Sequence, residues 1–170
     1  MSRAATTHRV SITGGFLARG FWLYVWEAKP TKGKPLYYVG RTGDSSSPNA
    51  QSPFVRMGQH LGYLKNACML RNHLSKAGVD PEDCQFRMIA HGPILAEAKP
   101  KTMKGHRVRR DRIAALEKAL ECSMTQAGYS VMNEVKCNAK VEPTLLRRVL
   151  RALSRDFKGL KPPKAKVNAR

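Results

Sequence analysis

The chain has 170 residues, with 31 Lys or Arg against 12 Asp or Glu for a formal charge of +19, and 42% of its residues are hydrophobic. That length and apolar content suffice for one globular domain with its own core, which excludes wholesale disorder. No run reaches the roughly 18 uninterrupted apolar residues of a membrane span, the first residues form no apolar leader, and the four cysteines contain no C-x-x-C pair, so a soluble, cytoplasmic chain without zinc knuckle or disulfide framework is expected.

Residues 1–20 mix Gly, Ser, Thr and Arg without periodicity and read as an arm leading into the first strand. From Phe21, FWLYVWEA is aromatic and β-branched, KPTKGKP interrupts it, and LYYVGRT is strand-like again, which predicts a β-hairpin buried in the core. GDSSSPNAQSP reads as a loop. A helix is expected from about Pro53, with Phe54, Val55, Met57, Leu61 and Leu64 at mostly helical spacing. Asn66 is placed to cap a second helix, ACMLRNHLSKAG, with Cys68, Met69, Leu70 and Leu74 inward and Gly78 as its stop. CQFRMIAHG alternates well enough for a third strand, with Phe86, Met88 and Ala90 on one face.

PILAEAKPKTMKGHRVRRDR reads as a basic connection, and from about His106 the stripe Ile113, Leu116, Leu120, Met124, Ala127 marks a long helix ended by Gly128. YSVMNEV is extended. Residues 143–157 form an amphipathic helix with Pro143 in its first turn and Leu145, Leu146, Val149, Leu150, Leu153 and Phe157 on one broad face. The remainder, 158–170, has five basic residues, no acid and little to bury, and is expected to be disordered. The predicted organisation is an arm over 1–20, an α+β domain over 21–157 and a basic tail over 158–170. The domain is a small antiparallel three-stranded sheet flanked by helices, with an extra C-terminal helix.

The charge is uneven. Residues 1–85 hold 11 basic and 5 acidic side chains, and residues 86–170 hold 20 and 7. A field of this size points to a polyanionic partner, and charge alone does not separate DNA from RNA. The segment Lys99 to Arg112 carries seven Lys or Arg against Asp111, and Lys104, Arg107, Arg109, Arg110 and Arg112 are candidate backbone contacts that position a nucleic acid without reading its bases. The basic face of helix 143–157, with Arg147, Arg148, Arg151 and Arg155, is a second candidate.

The hairpin carries the most specific signal. It reads Trp22-Leu23-Tyr24, then Tyr38-Val39-Gly40 with the tyrosines fourteen residues apart, then Arg41. Arg56 and His60 follow four apart on the next predicted helix, a Glu-bearing helix follows the third strand, and Asn133 lies in an extended segment after it. This ordered set, spanning roughly residues 21–135, resembles the GIY-YIG nuclease superfamily, named for the two tripeptides on adjacent strands. Trp22 stands where the family has a glycine.

The resemblance implies phosphodiester hydrolysis, which needs a base for water, a cation for the charge of the transition state and help for the departing 3′ oxygen. It makes Tyr24 the base. A free phenol, with a pKa near 10, is a poor base at neutral pH, so it needs nearby positive charge or a hydrogen-bond relay, which Arg41 and His60 are placed to supply. Tyr38 would orient water or phosphate, Gly40 would let the backbone approach the phosphate, and Arg56 would clamp two phosphoryl oxygens with its planar guanidinium. Arg41 matches a basic residue that some members carry. Beside these stand plainer readings, a core aromatic for Tyr24 and a solvated helix arginine for Arg56.

The family's metal-binding carboxylate has two candidates. At 100° per residue, Glu117 lies about 60° and Glu121 about 100° from the centre of the apolar stripe, so Glu117 is nearer the interior and is the expected ligand for Mg²⁺ or Mn²⁺, with Glu121 as fallback. The whole reading is a metal-dependent endonuclease acting on double-stranded DNA, with catalytic Tyr24, Tyr38, Arg41, Arg56, His60, Glu117 and Asn133. Only about 35 residues follow Asn133, which favours a stand-alone, restriction-type enzyme over repair or homing members with appended domains. One active site cuts one strand at a time, so duplex cleavage implies a homodimer, sequential nicking or transient pairing on DNA. The alternative is a non-catalytic DNA- or RNA-binding protein that keeps a nuclease fold.

Overall fold

A computed structural model describes residues 5–44 and 47–162. The order of elements is β1 (Phe21–Pro30), β2 (Leu36–Arg41), α1 (Pro53–Leu61), α2 (Met69–Lys76), β3 (Cys84–Leu95), α3 (Met103–Gln126) and α4 (Pro143–Leu153), with short 3₁₀ turns at Gly14–Leu17 and Pro81–Asp83. The fold is the expected α+β arrangement around a three-stranded antiparallel sheet of order β2-β1-β3.

The central strand β1 is apolar at almost every position because both of its faces are covered. Phe21, Leu23 and Val25 face a core built with α3 and α4 from Ile113, Leu116, Leu120, Val149, Leu150 and Leu153. Tyr24, Trp26 and Ala28 face the opposite way, onto Leu70 and Leu74 of α2 and Met57 and Leu61 of α1. Alternation along one strand thereby feeds two cores. Trp22 is accommodated by a register irregularity between Phe21 and Leu23 and by Gly92 on β3, where a Cβ would stand 2.7 Å from the indole.

Several boundaries differ from the sequence reading. β3 runs on to Leu95, through a segment read as connection, because its pairing with β1 continues to Phe21. α3 starts at Met103, where Thr102 Oγ1 accepts from the Gly105 amide, so Lys104 to Arg112 lie on a helix. Asn66 does not cap α2. That helix begins after Cys68 with no side-chain cap, whereas Ser52 caps α1 through the Val55 amide. α4 stops at Leu153, yet Phe157 still packs in the core. Leu160, read as part of the tail, is 3% exposed in the same core, so the packed domain extends past 157. Residues 163–170 of that tail lie outside the described residues. Among the described residues no helix is long and apolar enough to cross a membrane.

After α3 the chain returns along the free edge of β2. Tyr37 donates its amide to Ser130 O and accepts from the Met132 amide, forming a parallel bridge with Val131. Asn133 then continues the ladder with its side chain, Oδ1 accepting from Val39 N at 2.9 Å and Nδ2 donating to Val39 O at 2.8 Å. An exposed sheet edge is closed by a side-chain amide acting as one more peptide unit.

Candidate active site

A cavity of about 500 Å³ opens at the β2 end of the sheet, lined by Tyr38, Arg41, Arg56, Glu117 and Asn133 together with Asp44, Gln59, His73, Glu134 and Lys136. Its residues come from β2, α1, α2, α3 and the return segment, so only tertiary folding brings them together. Register sets which face each serves. Tyr24 lies opposite Gly40, and Trp26 lies opposite Tyr38, so both tyrosines face α1 and α2. Arg41 lies opposite Leu23 and reaches α3.

Tyr24 is wholly buried, and its hydroxyl sits one hydrogen bond behind the cavity. Its oxygen meets His60 Nε2 at 2.7 Å, Arg56 Nε at 3.3 Å and the Arg41 carbonyl at 3.2 Å. Burial raises the phenol well above its ordinary range, against the opposing pull of Arg56, so Tyr24 rests protonated. His60 is also buried, and desolvation followed by repulsion from Arg56 lowers it to about 3, keeping the imidazole neutral. Its buried Nδ1 has no hydrogen-bond partner among the described residues, leaving Tyr24 as the contact that sets the tautomer.

The ring of Tyr24 explains Gly40. A Cβ there would stand 2.4 Å from Tyr24 Cε2, so the glycine is bare to seat the tyrosine. Arg41 also differs from expectation. It offers Tyr24 its carbonyl, while its guanidinium pairs with Glu117 Oε2. Tyr38 lines the cavity and makes edge contacts with His60 and a tilted one with His73, and burial, then the Glu117 charge, push its phenol up to about 12.

Arg56 is fully engaged: Nε donates to Tyr24, Nη1 to Gln59 Oε1 at 3.0 Å and Nη2 to Asp44 Oδ2 at 3.3 Å. Asp44 escaped the sequence reading because no periodicity links it to an arginine twelve positions on; its only signal was an acid directly after R-T-G. His73, Glu134 and Lys136 were missed for the same reason, whereas Gln59, three residues after Arg56 on α1, stood at a helical spacing that could have shown it.

Of the two carboxylates, Glu117 lines the cavity and Glu121 does not. The expectation that Glu121 turns to solvent is incorrect, since it is 8% exposed against 6% for Glu117. Helical phase measures the angle to one core, and Glu121 is instead enclosed within its own helix by Lys118 and Thr125. Burial raises Glu117 to about 7 against the lowering effect of Arg41 and Arg56. Asn133 makes one hydrogen bond from each amide atom to Val39, which makes it a clamp on β2, and it also lines the cavity, where its second Oδ1 lone pair and second Nδ2 hydrogen are left over.

Among the described residues no three His, Cys, Asp or Glu side chains gather as a metal cage. One carboxylate completed by water and substrate phosphate is nevertheless a donor set that Mg²⁺ accepts, and Glu117 meets that requirement.

The basic stretch of α3 divides. Lys104 and Arg107 are exposed. Arg109 clips the connection before the helix, donating to Ala96 O and Gly105 O, while Arg110 pairs with Asp111 and Arg112 with Glu142. No protein-family model, curated protein or solved structure matches the chain.

Proposed function

We propose that this protein is a metal-dependent endonuclease of GIY-YIG type that hydrolyses phosphodiester bonds of double-stranded DNA. The observation that carries the reading is convergence: Tyr38, Arg41, Arg56 and Glu117, distant in sequence, line one cavity, with Tyr24 one hydrogen bond behind Arg56 and His60 one further behind Tyr24.

In this reading a phosphate entering the cavity draws Arg56 away from Asp44, and the guanidinium holds two phosphoryl oxygens as charge builds in the transition state. That movement uncovers the Tyr24 hydroxyl. The oxygen of a water attacks phosphorus and its proton passes to Tyr24, whose own proton moves to His60 Nε2. The negative charge of the phosphate offsets the Arg56 repulsion, which together with the larger effect of burial keeps the resting imidazole weakly basic. The bond from phosphorus to the 3′ oxygen breaks, the oxygen keeps the electron pair, and solvent protonates it. Glu117 would hold the divalent ion, Mg²⁺ or Mn²⁺, which would add positive charge at the phosphoryl oxygens. A single cavity per chain calls for two copies on the DNA, or successive nicks, to sever both strands.

Supercoiled plasmid with and without Mg²⁺ or Mn²⁺ tests the proposal. Nicking by the wild type is expected, with Arg56→Ala losing far more rate than affinity, because a clamp used in the transition state contributes little to ground-state binding. Glu117→Gln should bind DNA and fail to cut, while Glu121→Gln cuts within a few-fold of wild type. Tight binding with intact plasmid across metals and pH would replace this reading by that of a non-catalytic nucleic-acid-binding protein.

A further inference from the structure

The connection between α1 and α2 exposes two large side chains in succession, Tyr63 at 79% and Leu64 at 73%. The sequence spacing placed Leu64 with the buried face of α1, but that helix ends at Leu61. Gly62 turns the chain outward with its amide on Gly58 O, and a Cβ at Gly62 would stand 2.7 Å from that oxygen. The tip is built rather than slack. Leu64 O accepts from the Ala67 and Cys68 amides, at 2.8 and 3.0 Å, and Lys65 O accepts from Asn72 Nδ2. The Arg71 guanidinium lies 4.3 Å from the Tyr63 ring centroid while its Nε donates to Leu61 O, which props the ring upright in solvent.

A single exposed apolar side chain needs no explanation, but two adjacent ones on a braced tip contribute nothing to the core and present a preorganised apolar edge. Its position indicates the occupant. Asn66 and Ala67 of the same connection line the cavity, as does Met69 at the start of α2. The tip thus sits two residues before the rim of the cavity that Arg56 also lines. Lys65 and Arg71 beside it suit a polyanion. Aromatic and leucine side chains carried on a cationic support are the chemistry by which proteins pry at a base step or stack on a base face.

We propose that Tyr63 and Leu64 form a wedge that packs against a base step of duplex DNA next to the phosphate held by Arg56. The proposal rests on the nuclease reading for its partner, and the experiment separates the two. Trp22 and Trp26 are 6% and 2% exposed, so Tyr63→Trp places one solvent-exposed tryptophan at the tip. With a mixed-sequence DNA duplex in EDTA, binding is followed by anisotropy of a label on the DNA, and the tip by tryptophan quenching and acrylamide accessibility. The expected result is DNA binding with a quenched tryptophan shielded from acrylamide. In the otherwise native chain, Tyr63→Ala should weaken duplex binding roughly ten-fold, the lower range for a stacked base, and leave the salt slope unchanged, whereas Lys65→Ala reduces the slope. Binding with a tryptophan as accessible as in the free protein overturns the wedge and leaves the nuclease reading standing. Absence of duplex binding overturns both. Quenching by single-stranded RNA but not by duplex DNA, or a change of sedimentation on Tyr63→Ala without DNA, assigns the tip to another partner and overturns the wedge as well.

Discussion

Gly40 and Tyr24 occupy one volume between them, and the consequence is testable at a single atom. Gly40→Ala would set a methyl 2.4 Å from a rigid, fully buried ring, so the strand pair must separate or the ring must tilt off His60. A loss of about 2–3 kcal/mol is expected, at the upper end of overpacking, read as a lower midpoint in urea. His60 supplies a second expectation at this scale. Folded, it stays neutral down to about 3, whereas the unfolded chain protonates it near its ordinary value of 6.5. Between those values the unfolded state binds more protons, so this residue's contribution to stability is complete above 6.5 and is lost as pH falls towards 3. His60→Gln should flatten the fall of denaturation midpoint across that window; an unchanged slope would mean the imidazole titrates freely in the folded protein. Glu117 acts in the opposite sense, since a carboxyl raised from 4.5 to about 7 favours the folded state less as pH rises through that interval.

At the scale of elements, the site depends on how β2 is held. Its inner edge pairs with β1, and its outer edge is closed by Tyr37 bridging Val131 and by Asn133 serving both backbone groups of Val39. Tyr38 and Gly40 flank that clamp. Asn133→Asp keeps an acceptor for the Val39 amide but places carboxylate oxygen against the Val39 carbonyl. It should cost about 1–3 kcal/mol, the range for leaving a buried group unsatisfied, and speed hydrogen exchange at Val39 and neighbouring β2 amides. Exchange confined to the return segment, with β2 still protected, would show that β1 alone holds the strand. The long helix α3 contributes in two ways: its middle supplies Glu117 to the cavity, and its first turns hold Lys104 and Arg107 at the surface while Arg109 braces the approach from β3.

Over the whole molecule, the +19 charge and the proposed function together predict DNA affinity that falls steeply with salt, by roughly 10³ to 10⁵ between 50 and 200 mM for six to ten phosphate contacts. Two truncations divide that charge from the fold. Removing 163–170 takes away Lys164, Lys166 and Arg170, and should flatten the salt slope with the thermal midpoint unchanged. Removing 158–170 also takes Leu160 out of the core it shares with Phe157 and Leu153, and should cost about 2–5 kcal/mol in addition, as for deleting a buried leucine. Equal midpoints for the two chains would mean that Leu160 adds nothing to that core, and an unchanged slope after the shorter cut would place the last residues away from the DNA.

The amino-acid sequence determined the elements that depend on near neighbours. The apolar run of β1, the punctuation of the hairpin, the stripe from Ile113 to Met124 and the leucine face of α4 all appear where periodicity and breakers placed them, because local propensity and burial agree there. It also indicated Glu117 over Glu121 as the carboxylate nearer the sheet. It could not supply the partners of those residues. That the Arg41 guanidinium serves Glu117, leaving only its carbonyl for Tyr24, follows from strand register, which decides the face on which each β2 side chain stands. That Asp44 meets Arg56 and that Asn133 clamps β2 are outcomes of segments packing together that no periodicity links, and Glu121, whose helical phase points outward, is held by Lys118 and Thr125 of its own helix. Periodicity measures direction from one axis, and a cavity formed by five segments is a property of their relative placement, which tertiary packing alone sets.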